Sequence, residues 1–160
     1  VIMFDLDHFK QVNDTWGHES GNKVLIKTSS IVKQMVRKLD VPCRYGGEEF
    51  IVILPNTGLI DASFVAERIR DAIENSPVEV EGGVINATAS FGVDIYTDQQ
   101  NDSPESLISR VDAYLYQAKN QGRNQVCHVA PEDIDHEAQI SIEEKDALFG
   151  MFGDSDNEEA

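Results

Sequence analysis

The chain has 160 residues, enough for one domain with its own core, and a net charge of −16. The acids are unevenly spread: residues 131–160 hold 11 acids and one lysine, while residues 1–130 hold 18 acids and 12 bases. Such a balance argues against general binding to nucleic acid or to an anionic membrane, and no apolar run approaches a membrane span.

In chain order, the first signal is an apolar strand run, Val1 to Phe4, that ends in Asp5 and Asp7. A helix is predicted from about Gly21 to Leu39, with Leu25, Ile26, Ser29, Val32, Val36 and Leu39 as its apolar stripe. Strand signals at Val41 to Tyr45 and Phe50 to Leu54 flank Gly46-Gly47-Glu48-Glu49, the pattern of a hairpin with acids at its tip. Asp61 is placed to cap a second helix running to about Asn75, with Val65, Ile69, Ala72 and Ile73 facing inward. Strands follow at Val78 to Val80 and Ile85 to Ile95. Ser103-Pro104-Glu105 opens a third helix, striped by Leu107, Ile108, Val111, Leu115 and Ala118 and terminated by Gly122. A last strand is expected at Val126 to Val129. Strands and helices mixed in this way make an α/β sandwich, a mainly antiparallel central sheet with helices packed on it.

The final stretch differs. Ser141-Ile142-Glu143-Glu144 fits a capping box, followed by Leu148, Phe149, Met151 and Phe152, so 131–160 reads as an acidic tail with room for one short helix. Cys43 and Cys127 alone suggest a reduced, cytoplasmic protein rather than a disulfide framework. The four histidines show no zinc-ligand spacing, and P-loop and Rossmann glycine patterns are missing.

If the first strand neighbours the hairpin, Asp5 meets Glu48 and Glu49 at one end of the sheet. Hard carboxylate oxygens clustered there suit Mg²⁺, which takes a few carboxylates together with substrate phosphates. Taken alone, a Gly-Gly-Glu-Glu turn is an ordinary solvated hairpin, and Asp-x-Asp is common in an acidic chain. It is the combination that points to metal-dependent phosphoryl transfer. Asp7 stays open between Asp5's side of the strand and a structural bond to a backbone amide.

Gly46-Gly47-Glu48-Glu49-Phe50 and Asp5-Leu6-Asp7-His8-Phe9-Lys10-Gln11-Val12-Asn13-Asp14 resemble the two hallmarks of the GGDEF domain, the diguanylate cyclase family. Gly17-His18, Ser90-Phe91-Gly92-Val93 and Tyr116 to Asn124 fit the same pattern, so the resemblance spans about residues 1–130. It implies a palm-like sheet shared with nucleotidyl cyclases and polymerases. The implied reaction joins two GTP into cyclic di-GMP across a homodimer of half-sites, with Mg²⁺ or Mn²⁺, two ions per half-site. Carried onto this sequence, Asp5, Glu49 and the Leu6 carbonyl are metal ligands, and Glu48 is the base or a further ligand. Phosphates fall to Phe9, Lys10, Lys119 and Arg123, Phe9 through the backbone N–H groups that follow Asp7. Guanine falls to Asn13 and to Asn22, where the family usually has Asp. Arg37, Asp40 and Arg68 match an Arg-x-x-Asp site for inhibitory product.

The chain lacks an initiator methionine and opens on a strand, so a missing upstream segment, sensory or receiver in kind, is expected to drive dimerisation. Rival readings are a non-catalytic GTP or cyclic di-GMP sensor, a cyclase of relaxed purine choice because of Asn22, and a partner-docking protein acting through its acidic tail.

Overall fold

The computed structural model describes residues 1–97 and 102–129. The elements run β1 (Ile2–Leu6), α1 (Phe9–Met35), β2 (Val41–Arg44), β3 (Glu49–Ile53), α2 (Leu59–Glu74), β4 (Val78–Val80), β5 (Gly83–Ile85), β6 (Ala89–Val93), α3 (Pro104–Asn120) and β7 (Val126–Cys127). Five strands form one sheet in the order β2-β3-β1-β6-β7, and β4 pairs β5 in a separate ribbon. Every pair in the large sheet is antiparallel except β6 with β7, which is parallel. The expected sandwich is therefore present, and Val1–His128 form one compact unit. The expected tail, 131–160, lies outside the described residues. Among the described residues no helix is long and apolar enough to cross a membrane.

β1 is central because it is apolar on both faces. Ile2, Met3, Phe4 and Leu6 are all buried, as a strand paired on both sides and covered on both faces requires. Phe4 stacks between Phe50 at 4.9 Å and Phe91 at 4.6 Å, rings from the two neighbouring strands. On the opposite face Met3 and Ile51 pack with Leu107, Val111 and Leu115 of α3. Gly92 lets α3 come this close: a Cβ there would lie 2.1 Å from the Val111 carbonyl oxygen and 2.5 Å from the Leu115 nitrogen.

α3 follows its sequence signals. Ser103 and Ser106 form a reciprocal capping box with Pro104 at the helix start. Gly122 at φ 118° lets the Arg123 N–H reach the Ala118 carbonyl at 3.0 Å, closing the far end. Arg110 of α3 grips Asp102 through both guanidinium Nη atoms and Asp94 through Nε. This pair holds the Asp102 carboxyl far below the ordinary carboxylate range.

Several predicted boundaries move. α1 begins at Phe9, not near Gly21, because Gly17 joins two helical segments at φ 79° and ψ 161°. It ends at Met35, leaving Leu39 exposed beyond it, and Ile26 is exposed on the helix itself; the buried stripe is Gly21, Val24, Leu25, Thr28, Ile31 and Val32. α2 starts at Leu59 with Gly58 as its cap, so Asp61 sits within the first turn, where its charge suits the helix dipole. The expected strand Ile85 to Ile95 divides, since β5 belongs to the ribbon and β6 to the main sheet. β7 stops at Cys127.

The Gly92 contact is with backbone, which cannot swing aside as a side-chain tip can. Gly92→Ala is expected to destabilise the fold by about 1–3 kcal/mol or more, the cost of overpacking a closed core. The denaturant midpoint measures it.

Candidate functional site

The site is built where β1 leaves the sheet. In register Asp5 stands opposite Glu49 on one side and Ser90 on the other. One further bond, from the Leu6 N–H to the Glu48 carbonyl at 3.3 Å, holds the hairpin tip to the strand end. The predicted meeting of Asp5 with Glu48 and Glu49 is thus produced by pairing.

The tip is fixed from within. The Tyr45 and Gly46 N–H groups both donate to the Glu49 carbonyl, at 2.8 and 3.2 Å. The Arg44 guanidinium donates to the Gly46 and Gly47 carbonyls. Neither glycine takes a positive φ. The need at Gly46 is space, because the Glu49 carboxylate folds over it, with Oε2 2.6 Å from where a Cβ would stand. Gly47 meets nothing within 4 Å.

Asp5 is mostly enclosed, and Lys119 of α3 reaches it at 3.2 Å. Burial raises the Asp5 pKa above the usual carboxylate value; the Lys119 ammonium opposes that rise, and Glu48 and Glu49 add to it. Three acids and one lysine are therefore electrically coupled at one strand end. Among the described residues, no three Asp, Glu, His or Cys side chains are gathered closely enough to make a ready metal cage.

The remaining predicted residues divide. Lys10 is exposed on the first turn of α1, and Arg123 is exposed just beyond α3. Phe9 is buried, so its ring belongs to the core and only its backbone faces the turn after Asp7. Asn13 and Gly21 are brought into contact by the break at Gly17: a Cβ on Gly21 would stand 2.0 Å from Asn13 Oδ1 and 3.2 Å from Phe9 Cζ. Asn22 is exposed on the next residue of the same helix. Asp7 is a structural anchor, buried and bonded to Thr88, Ser90 and the Asn124 N–H.

Arg37, Asp40 and Arg68 gather at the far end of α1. Asp40 Oδ2 accepts from the Arg37 N–H at 2.6 Å, and Asp40 N–H donates to the Arg37 carbonyl at 3.1 Å, so the segment is a closed turn. Arg68 Nη2 donates to the Met35 carbonyl at the helix end beside it. Asp40 is thus engaged by the backbone of its own turn, leaving the exposed Arg37 side chain clear of it.

A cleft of about 530 Å³ borders Glu49, lined also by Met3, Tyr45, Ile108, Glu105 and Asp112. Its carboxylate walls make it a poor host for a triphosphate. Lys119 instead lies on the Asp5 side of the acid cluster. The roles of Gly21 and Arg44 escaped the sequence reading. Their signal was faint: a glycine beside Asn22, and an arginine two residues before the glycine pair.

The chain belongs to the diguanylate cyclase GGDEF domain family, whose sequence profile matches residues 1–125. It is 47% identical over 128 residues to the response regulator PleD of Caulobacter vibrioides, covering 79% of this chain and 28% of PleD. The fold is similar to that of diguanylate cyclase SiaD from Pseudomonas aeruginosa, solved with its activator SiaC. There the TM-score is 0.74 at 40% identity, over 80% of this chain and 48% of that one. It is also similar to the coiled coil and GGDEF domain of DgcB from Caulobacter crescentus in complex with c-di-GMP. That match has a TM-score of 0.73 at 30% identity, over 80% of this chain and 68% of that one.

The tight contact at Gly21 is with the tip of the Asn13 side chain, which can turn away, and the Phe9 ring at 3.2 Å need give only slightly. Gly21→Ala is expected to leave stability within about 1 kcal/mol of wild type while displacing the Asn13 amide. Paired thermal unfolding and guanine-nucleotide titration would show the two effects separately.

Proposed function

We propose that this chain is the catalytic domain of a diguanylate cyclase, condensing two GTP into cyclic di-GMP and two pyrophosphates. The observation that carries the reading is the Asp5–Glu49 register beside Glu48, with Lys119 within ion-pair reach. In each half-reaction a ribose 3′-oxygen attacks an α-phosphorus. The new P–O bond forms as the bond to the bridging α,β-oxygen breaks, pyrophosphate leaves, and the hydroxyl proton passes to Glu48. A twofold product is matched by two identical half-sites facing one another, which is why we infer a homodimer.

The donor set supports a hard divalent cation, Mg²⁺ or Mn²⁺ and two per half-site, held by Asp5, Glu49, Glu48 and the Leu6 carbonyl. Such an ion needs only one or two protein carboxylates when phosphate oxygens complete its shell, so a ready cage is not required. When bound it would neutralise the α-phosphate and acidify the attacking hydroxyl. A cation there would offset the repulsion that Glu48 and Glu49 add at Asp5. Lys119 would then be free to turn from Asp5 to phosphate, joined by Lys10, Arg123 and the backbone N–H of Phe9.

Guanine recognition falls to Asn13, steadied against Gly21, and to Asn22. An Asn at 22 has one acceptor oxygen and no charge, which favours a looser purine choice than an Asp would give. Arg37, Asp40 and Arg68 form the proposed product site. In the whole protein we infer a cytoplasmic domain behind an upstream sensory or receiver segment, as the description of PleD as a response regulator supports.

Asp5→Asn and Glu48→Gln are each expected to lower turnover by roughly 10²–10³ or more with the fold intact, and chelation of divalent ions should do the same. Incubation of concentrated protein with GTP, ATP or both, with products identified by mass, is the test. Near-normal cyclic di-GMP synthesis by either variant would defeat the assignment.

Product binding should depend on Arg37. Its truncation to Ala is expected to weaken cyclic di-GMP by about 1–3 kcal/mol, the worth of a charge-assisted contact. Calorimetry reads this directly, and equal affinities would leave Arg37 and Asp40 as a plain turn.

A further inference from the structure

Asp7 is an acidic residue with only 7% of its surface exposed, and the chemistry above makes no use of it. Its carboxylate is nonetheless fully engaged. Oδ1 accepts from Ser90 Oγ at 2.6 Å, while Oδ2 accepts from Thr88 Oγ1 at 2.7 Å and from the Asn124 backbone N–H at 3.1 Å. The last bond joins the end of β1 to a segment 117 residues away.

That segment needs an anchor. Gly122, Arg123 and Asn124 follow one another at φ 118°, 65° and 45°. The left-handed region is costly for residues with a Cβ, and two of them in succession relax unless the surroundings hold them. On one side the Arg123 N–H is tied to Ala118 of α3. On the other, the Asn124 side chain is gripped by α2: Arg70 Nη1 donates to its Oδ1 at 3.0 Å, and its Nδ2 donates to Glu74 Oε1 at 2.8 Å. Arg70 is itself fixed by Glu67 and Glu74, each at 2.7 Å.

We propose that Asp7 and Asn124 are positioning residues that hold the backbone presenting Arg123 to phosphate, β1 gripping the main chain and α2 the side chain. The proposal rests on the GTP reading above. Its physical point is registration. Asp5 and Asp7 are two residues apart, so the strand end that offers the acids to a cation also sets where the phosphate-binding arginine stands. A shift of the loop would separate the two halves of the site without unfolding anything.

The test is a double-mutant cycle. Wild type, Asn124→Gly, Arg123→Ala and the double variant are titrated calorimetrically with a non-hydrolysable GTP analogue and Mg²⁺, and amide exchange of residues 122–124 is followed by NMR. Glycine accepts φ 45° without strain, so Asn124→Gly removes the bridges to α2 without forcing the backbone, and frees the loop further. It should weaken the analogue about tenfold when Arg123 is present and less than about twofold when it is absent, a coupling that general destabilisation would not produce. The Asn124 N–H should be protected in wild type and exchange faster in Asp7→Asn. Equal losses in both backgrounds, or an unprotected Asn124 N–H in wild type, would overturn the proposal. If wild type bound no analogue, the GTP reading would fail, and the exchange data alone would still decide whether Asp7 holds the loop.

Discussion

The two-sided pairing of β1 is the constraint on which the rest depends. A strand bonded to β3 on one edge and β6 on the other has no freedom to slip, because a shift of one residue would turn Phe4 out of its stack and send Asp5 to the opposite face. The register that buries Phe4 between Phe50 and Phe91 is the same register that sets Asp5 opposite Glu49. Core packing and acid placement are one requirement. The acids come at the end of the strand, where the apolar run stops and the backbone turns out of the sheet.

Around that strand the fold uses missing side chains to bring charged groups close. Gly92 admits α3, and α3 delivers Lys119 to Asp5. Gly46 admits the Glu49 carboxylate, and Gly21 admits the Asn13 amide. In each case a polar group reaches its place through a gap one methyl group wide. Two of the three neighbours are flexible tips and one is a helix backbone, so the same substitution has different consequences: reorientation at 46 and 21, and loss of packing at 92.

Much of this was legible in the sequence because it depended on local pattern. The apolar run ending in Asp5, the glycine pair followed by two acids, and the Ser-Pro start of α3 each carry their own chemistry. What was not legible depended on tertiary geometry. The apolar period points to a helix only from about Gly21, yet Gly17 joins helical segments on both sides of it, so α1 begins at Phe9. Ile26 is exposed because periodicity alone does not say which of two adjacent faces is covered, and Leu39 because the helix stops at Met35. Asp7 was ambiguous for a similar reason. Its partners, Ser90 and Asn124, lie 83 and 117 residues away, and no local pattern announces them.

The charge distribution imposes a final requirement. Residues 1–130 carry more acids than bases, so the field of the domain repels a nucleoside triphosphate at long range, and beyond about 10 Å salt screens what remains. In the reading we propose, capture is a short-range event made by a few cations in fixed places. Lys10 comes from the first turn of α1, Lys119 from the last turn of α3 and Arg123 from the loop beyond it. Lys10 is far in sequence from the other two, and the sheet joins the elements that carry them. The Lys119 ammonium on Asp5 offsets part of the negative charge that Glu48 and Glu49 add to the cluster. A site of this kind gains its selectivity from geometry rather than from attraction, so the loop carrying Arg123 has to be held as firmly as the strand carrying Asp5.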